Sequence, residues 1–137
     1  FSCGNALQVN DLVDYVSESG RAAGAAAARF VGEAGGPPRE RPGGISGRIP
    51  VTRKGEIRTL VPQWIDVSRP GPGVFYFRSS KSMDRAQLTV TGGGGELFSA
   101  DLRLVRPPEI ERIEIDLPGG PNKWDISGLT FYLEEIL

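Results

Sequence analysis

Histidine is absent from these 137 residues, and cysteine occurs once, at Cys3. The first absence removes the side chain that most often acts as a general base near neutral pH, and with it a common metal ligand. The second rules out a disulfide framework within the chain, because a lone thiol has no partner. A self-contained hydrolase or zinc site is therefore not expected. Long apolar runs are missing too: none approaches the ~20 residues a membrane span needs, and no charged-then-apolar leader suggests export, so a cytoplasmic location is expected. Charge of one sign is also lacking. Sixteen basic and seventeen acidic residues are interspersed, which gives no field to steer nucleic acid or an anionic membrane. Neither is expected as a partner.

Glycine and proline are abundant, at 19 and 11 residues, and they cluster in connections, which favours many short elements over a helical bundle. From Ile49 onward apolar residues recur at every second position, with turn signals every 8–12 residues. Six strands are predicted: Ile57 to Ile65, Val74 to Arg78, Arg85 to Thr91, Glu96 to Val105, Ile110 to Leu117 and Leu129 to Glu134. Arg48 to Thr52 is a candidate seventh. The alternation places Ala86, Leu88 and Val90 on one face, as it does Phe98, Ala100, Leu102 and Leu104, then Ile113, Ile115 and Leu117, and finally Leu129, Phe131 and Leu133. Gly92-Gly93-Gly94-Gly95 reads as a flexible hairpin loop and Arg53-Lys54-Gly55-Glu56 as a tighter turn. The fold class that follows is mainly β, an antiparallel β-sandwich of six or seven strands preceded by one long α-helix.

That helix follows Asn10 and Asp11, both good N-cap residues, and Asp11, Asp14 and Glu18 put negative charge near its positive end. Leu12, Val16, Ala23, Ala27 and Phe30 form an apolar stripe, and Gly20, Ala23, Gly24 and Ala27 a second, very shallow one. A ridge so small lets another backbone approach closely, so the helix is expected to lie against a partner, and a fragment that leaves the ridge uncovered is expected to self-associate. Gly32 can end the helix, and the Gly/Pro-rich stretch that follows reads as a linker. The predicted organisation is a first segment at 1–35, a linker at 36–47 and a sandwich at 48–137.

The opening carries the most specific pattern. Phe1-Ser2-Cys3-Gly4-Asn5 reads as the last turn of a buried strand, followed by Asp11-Leu12-Val13-Asp14-Tyr15-Val16 and Gly20-Arg21-Ala22-Ala23-Gly24. Together they resemble the final strand and helix of the FAD-binding domain in NAD(P)/FAD-dependent oxidoreductases of the pyridine nucleotide-disulfide oxidoreductase superfamily. The resemblance implies that Gly4 and Asn5 meet the ribityl and pyrophosphate region of FAD, and that Leu12 and Val13 offer backbone near the isoalloxazine. Asn5 stands where Asp is commoner, and its amide can still bond a ribityl hydroxyl. Gln8 and Asn10 stand where the closest subgroup would have His, which leaves chemistry dependent on those imidazoles without a bearer. Leu60-Val61-Pro62-Gln63-Trp64-Ile65 and Val105-Arg106-Pro107-Pro108-Glu109-Ile110 are similar to patterns in the β-rich C-terminal extension of the same oxidoreductases, with Pro108 and Ile110 in place of the expected Gly and Met.

On this resemblance the chain is the C-terminal region of a larger FAD-dependent, NAD(P)-linked oxidoreductase. Its partners are then the rest of that flavoprotein and a partner subunit docked on the sandwich. No Gly-x-Gly-x-x-Gly turn is present to hold a dinucleotide pyrophosphate, so the 137 residues alone are expected neither to bind FAD nor to catalyse. The alternative is a stand-alone β-sandwich that binds a protein or carbohydrate partner, for which Trp64, Tyr76, Trp124 and Tyr132 are candidate surface residues, although core or edge packing suits large aromatics better. Glu109, Glu111, Glu114 and Asp116 lack the spacing of a calcium loop and read as a solvated strand face. Cys3 reads as a small buried residue.

Overall fold

A computed structural model describes residues 2–33, 48–67, 71–117 and 127–137. The chain divides into two compact units, Phe1–Gly44 and Ile45–Leu137. The predicted linker at 36–47 and Trp124 lie outside the described residues.

In the first unit a 3-10 turn, Gly4–Ala6, precedes one long helix, α1 (Val13–Glu33). The expected buried strand at the start is not formed. Gly4 takes φ of +57° and turns the chain, and Cys3 is exposed rather than buried. The physical reason is that a strand must exchange its backbone hydrogen bonds with a neighbour, and among the described residues no strand pairs with 2–5. The helix begins at Val13, two residues past the expected caps, with the Leu12 carbonyl accepting from the N–H groups of Tyr15 and Val16 at 3.2 and 3.4 Å. Asn10 is occupied elsewhere: its Nδ2 donates to the Gln8 carbonyl at 3.0 Å. Gly32 does not end the helix, which runs on to Glu33.

The second unit holds eight strands: β1 (Arg48–Gly55), β2 (Ile57–Val61), β3 (Trp64–Asp66), β4 (Gly71–Ser79), β5 (Met83–Gly92), β6 (Gly95–Val105), β7 (Glu111–Leu117) and β8 (Leu129–Glu135). They form a five-stranded sheet in the order β3-β1-β8-β5-β6 and a three-stranded sheet in the order β2-β4-β7. The two sheets pack as a sandwich around one core to which both contribute, with Phe75 and Phe77 from the smaller sheet and Leu88, Val90, Leu129, Phe131 and Leu133 from the larger. Phe75 and Phe131 meet across the layers with ring centroids 4.7 Å apart. Each buried ring removes about 150–250 Å² from water, worth roughly 4–6 kcal/mol of gross stabilisation. The alternating faces expected on β5, β7 and β8 are those that turn inward.

Three features depart from the sequence expectation. The span from Ile57 to Ile65 is not one strand but two, in different sheets, divided where Pro62 interrupts the backbone donors after a cis Val61–Pro62 bond. The first strand does not stop at Thr52. Arg53, Lys54 and Gly55 continue it, pairing in parallel with Phe131, Tyr132 and Leu133 of β8, so the sandwich is not wholly antiparallel. On β6, Leu104 points to solvent at 62% exposure while Val105 is fully buried. The left-handed backbone of Leu104, φ +57°, breaks the alternation there and brings Val105 into the core opposite Met83. The Gly92–Gly95 loop does join β5 to β6 as a hairpin, with Gly93 and Gly94 at φ of +60° and +80°, the left-handed pair that a two-residue turn between twisted strands favours.

Candidate functional site

The residues implied as flavin contacts lie together in the first unit. Gly4 is buried, its N–H donating to Ser19 Oγ at 3.0 Å, and a Cβ placed on it would come within 3.3 Å of Val16 Cγ1. The turn is thereby fixed against the second turn of α1. Asn5 Oδ1 accepts the backbone N–H of Asn10 at 3.1 Å, so its carboxamide braces the loop leading into the helix. Leu12 and Val13 are 53% and 76% exposed and stand where the first N–H groups of the helix have no intrahelical acceptor. The arrangement offers a backbone-donor face beside two apolar side chains. Gln8, one of the two positions where the resemblance implies His, adds a buried Oε1 with no hydrogen-bond partner.

The helix covers little. Of the α1 residues whose exposure is described none is buried, and Gly20 and Gly24 have open space where a Cβ would stand.

In the second unit chemistry gathers on the outer face of the larger sheet, opposite Leu129, Phe131 and Leu133. Register aligns Thr52, Thr130, Thr91 and Glu96 in one row across four strands. The next row holds Lys54, Tyr132, Thr89 and Ser99, and the one beyond it Glu134, Gln87 and Asp101. At the hairpin end of this face lies an open recess of about 460 Å³, lined by Thr91, Gly92–Gly95, Glu96, Gly128 and Thr130. Tyr132 is 39% exposed, and its hydroxyl donates to Glu134 Oε2 at 3.2 Å. The Glu134 carboxylate, through its charge and that bond, raises the pKa of the phenol.

The other aromatics divide. Trp64 is 59% exposed on the edge strand β3, whereas Tyr76 is buried on β4. Trp64 and Tyr132 thus sit on the larger sheet and Tyr76 on the smaller, and they form no common surface. Among the acidic residues of β7, Glu111 has its pKa raised by burial and then by the nearby Glu109 charge, while Arg112 pairs with Glu114 at 3.0 Å. No group of three or more potential metal ligands occurs among the described residues, and no helix there is long and apolar enough to cross a membrane. Comparison with protein-family models, with curated proteins and with solved structures finds no match to the chain.

Proposed function

We propose that the chain is the C-terminal region of an FAD-dependent, NAD(P)-linked oxidoreductase, in which the first unit completes a flavin-binding domain and the sandwich is an accessory module that docks a partner subunit. The observation that carries this reading is a helix built to be covered. Its apolar entry, Leu12 and Val13, stands in solvent, its small-residue ridge is open at Gly20 and Gly24, and its sequence resembles the last helix of such a domain.

The geometry at Gly4 and Asn5 supports the reading in part. The left-handed Gly4 is packed against Val16 and Ser19 of the helix and so shapes the turn, while the Asn5 carboxamide retains an NH₂ group able to donate to a ribityl hydroxyl. Leu12 and Val13 would present backbone N–H groups at the positive end of the helix, suited to negative charge on a reduced flavin. When bound, FAD would supply the hydride and electron transfer. The chain's own residues would hold it in place, and none of them is assigned a catalytic role. Trp64 and Leu104, exposed on the two edge strands of the larger sheet, are the apolar residues through which the sandwich would dock.

The test compares the gene product extended upstream with the same product lacking residues 45–137. Retained flavin with an altered oligomeric state or turnover on deletion is expected. Unchanged oligomeric state and turnover would remove the docking role, and absence of flavin from both forms would remove the flavoprotein reading.

A further inference from the structure

Among the described residues β6 has β5 on one side and no strand on the other. A free edge of this kind presents a row of backbone donors and acceptors to any strand that reaches it, and it is ordinarily blunted by shortness, lysine or proline. The opposite edge of the same sheet, β3, is three residues long. By contrast β6 runs for 11 residues and contains neither lysine nor proline. Its pairing with β5 is regular from Phe98 to Arg103, between the register shift at Leu97 and the left-handed Leu104.

The outward side chains of β6 are complementary to themselves in reverse order. The set is Glu96, Ser99, Asp101 and Arg103, opposite Thr91, Thr89, Gln87 and Arg85 of β5. Two copies of the strand paired antiparallel about a two-fold axis present that set to each other reversed. With the axis at Ala100, Glu96 stands in one row with Arg103 of the second copy and Ser99 in the next with its Asp101; both pairs recur on the other side of the axis. An axis at Asp101 would instead set the two Asp101 carboxylates opposite each other, and like charges so placed are destabilising. An axis at Leu102 would set Ser99 against the buried Val105, where the strand ends, and leave Glu96 with no strand beside it.

The register centred on Ala100 also supplies what the single chain lacks. Arg103 lies directly opposite Arg85, a like-charge pair that costs stability, and neither Arg103 nor Glu96 has a hydrogen bond or ion pair among the described residues. A Glu96 carboxylate from the second copy offsets that charge. Ser99 Oγ accepts from Gln87 Nε2 at 3.4 Å, so its own proton remains to be donated, and an ionised Asp101 carboxylate only accepts. On the core-facing side Phe98, Ala100 and Leu102 are half-buried, with no strand beyond the edge to cover them. The same axis lays Phe98 against Leu102 of the second copy on either side of a close approach between the two Ala100 residues, and aromatic and aliphatic side chains facing each other across strands stabilise a sheet.

We infer that the free edge of β6 is a homodimer interface, at which a second copy of this chain pairs antiparallel about Ala100 and joins the two larger sheets into one. The inference rests on the docking role proposed for the sandwich, whose partner subunit it identifies as a second copy, and it needs no flavin. The test is sedimentation velocity on the 137-residue chain over a concentration series at low salt, where exposed ion pairs are least screened. A monomer–dimer equilibrium is expected, weakened at least tenfold by Glu96→Arg and by Arg103→Glu, each of which sets like charges opposite each other in the dimer. Mixing the two variants in equal amounts should restore association, because each then meets the opposite charge at both positions. Circular dichroism establishes that both variants are folded. A chain that stays monomeric at millimolar concentration would overturn the inference, as would association that both variants retain, which would place the contact elsewhere, or no gain on mixing. The two readings fail separately: a monomeric chain removes the second copy, whereas unchanged oligomeric state and turnover on deleting residues 45–137 from the extended product remove docking altogether.

Discussion

Gly55 is the residue at which the parallel pairing of β1 with β8 can be tested most sharply. It has φ of +65°, and a Cβ placed on it would lie 2.2 Å from the Leu133 carbonyl oxygen. The same oxygen accepts the Glu56 N–H at 2.8 Å, so the strands cannot separate to admit a methyl group without stretching that bond. Gly55→Ala therefore incurs two costs. A left-handed backbone at a residue with a side chain costs about 1–2 kcal/mol, and a backbone donor or acceptor left unsatisfied costs about 1–3 kcal/mol. A total of roughly 3 kcal/mol would lower the Tm of a unit of this size by roughly 12–24 °C. Gly94→Ala is the control, because Gly94 is also left-handed, at φ +80°, but has open space around its Cβ position. It should bear only the conformational cost. Thermal unfolding of both variants by circular dichroism checks this. Equal losses would refute the role given to Leu133, and an unchanged Tm for Gly55→Ala would refute the parallel β1–β8 register itself.

Other perturbations probe the core, the edge and pH. Phe131→Ala should cost about 3–5 kcal/mol, because Phe131 is fully buried and meets Phe75 across the layers; urea denaturation measures it, and a loss below about 1 kcal/mol would contradict the sandwich packing. Leu104→Asn should leave stability unchanged or raise it by up to about 1 kcal/mol, since Asn accepts a left-handed backbone more readily and Leu104 is largely in solvent; a clear loss would mean that Leu104 packs against something. Burial raises the pKa of Glu111 above the ordinary carboxylate value. The folded state therefore holds that proton more tightly than the unfolded one, and the associated stability is full below the unfolded pKa and lost as pH rises through the folded one. Glu111→Gln should flatten this part of the profile in denaturation titrations between acid and neutral pH, and an unchanged slope would refute the effect.

The sandwich was largely legible because its strongest strands repeat with period two and its turns carry glycine. Ala86-Leu88-Val90 and Leu129-Phe131-Leu133 face the core as their alternation implies, and the side-chain period of two leaves no freedom once one face is buried. The departures arise where pairing over long range overrides local pattern. Leu102 and Leu104 continue the alternation in sequence, yet the backbone turns over at Leu104 and Val105 takes the inward place. Nothing within β6 announces that change. Pro62 was a usable signal for dividing β2 from β3, since it lacks a ladder donor, but Leu60 and Val61 before it look like continuous strand.

The two candidate sites differ in the same way. Gly4, Asn5, Leu12 and Val13 are close in sequence and could be singled out from a local pattern, although the strand expected to present them is a 3-10 turn. The Thr52, Thr130, Thr91 and Glu96 row is assembled from four strands, and its members lie as far as 78 residues apart in sequence. Only the register of β1 with β8 and of β5 with its neighbours reveals it. Threonines at alternating outward positions otherwise read as ordinary strand surface.

The central claim concerns what the helix and its entry belong to. Its most direct measurement is the visible absorption spectrum, after gel filtration, of the 137-residue chain beside the gene product extended upstream. The account predicts flavin bands at stoichiometric intensity in the extended protein and none in the shorter chain. Flavin bound by the 137 residues alone, or by neither protein, would contradict it.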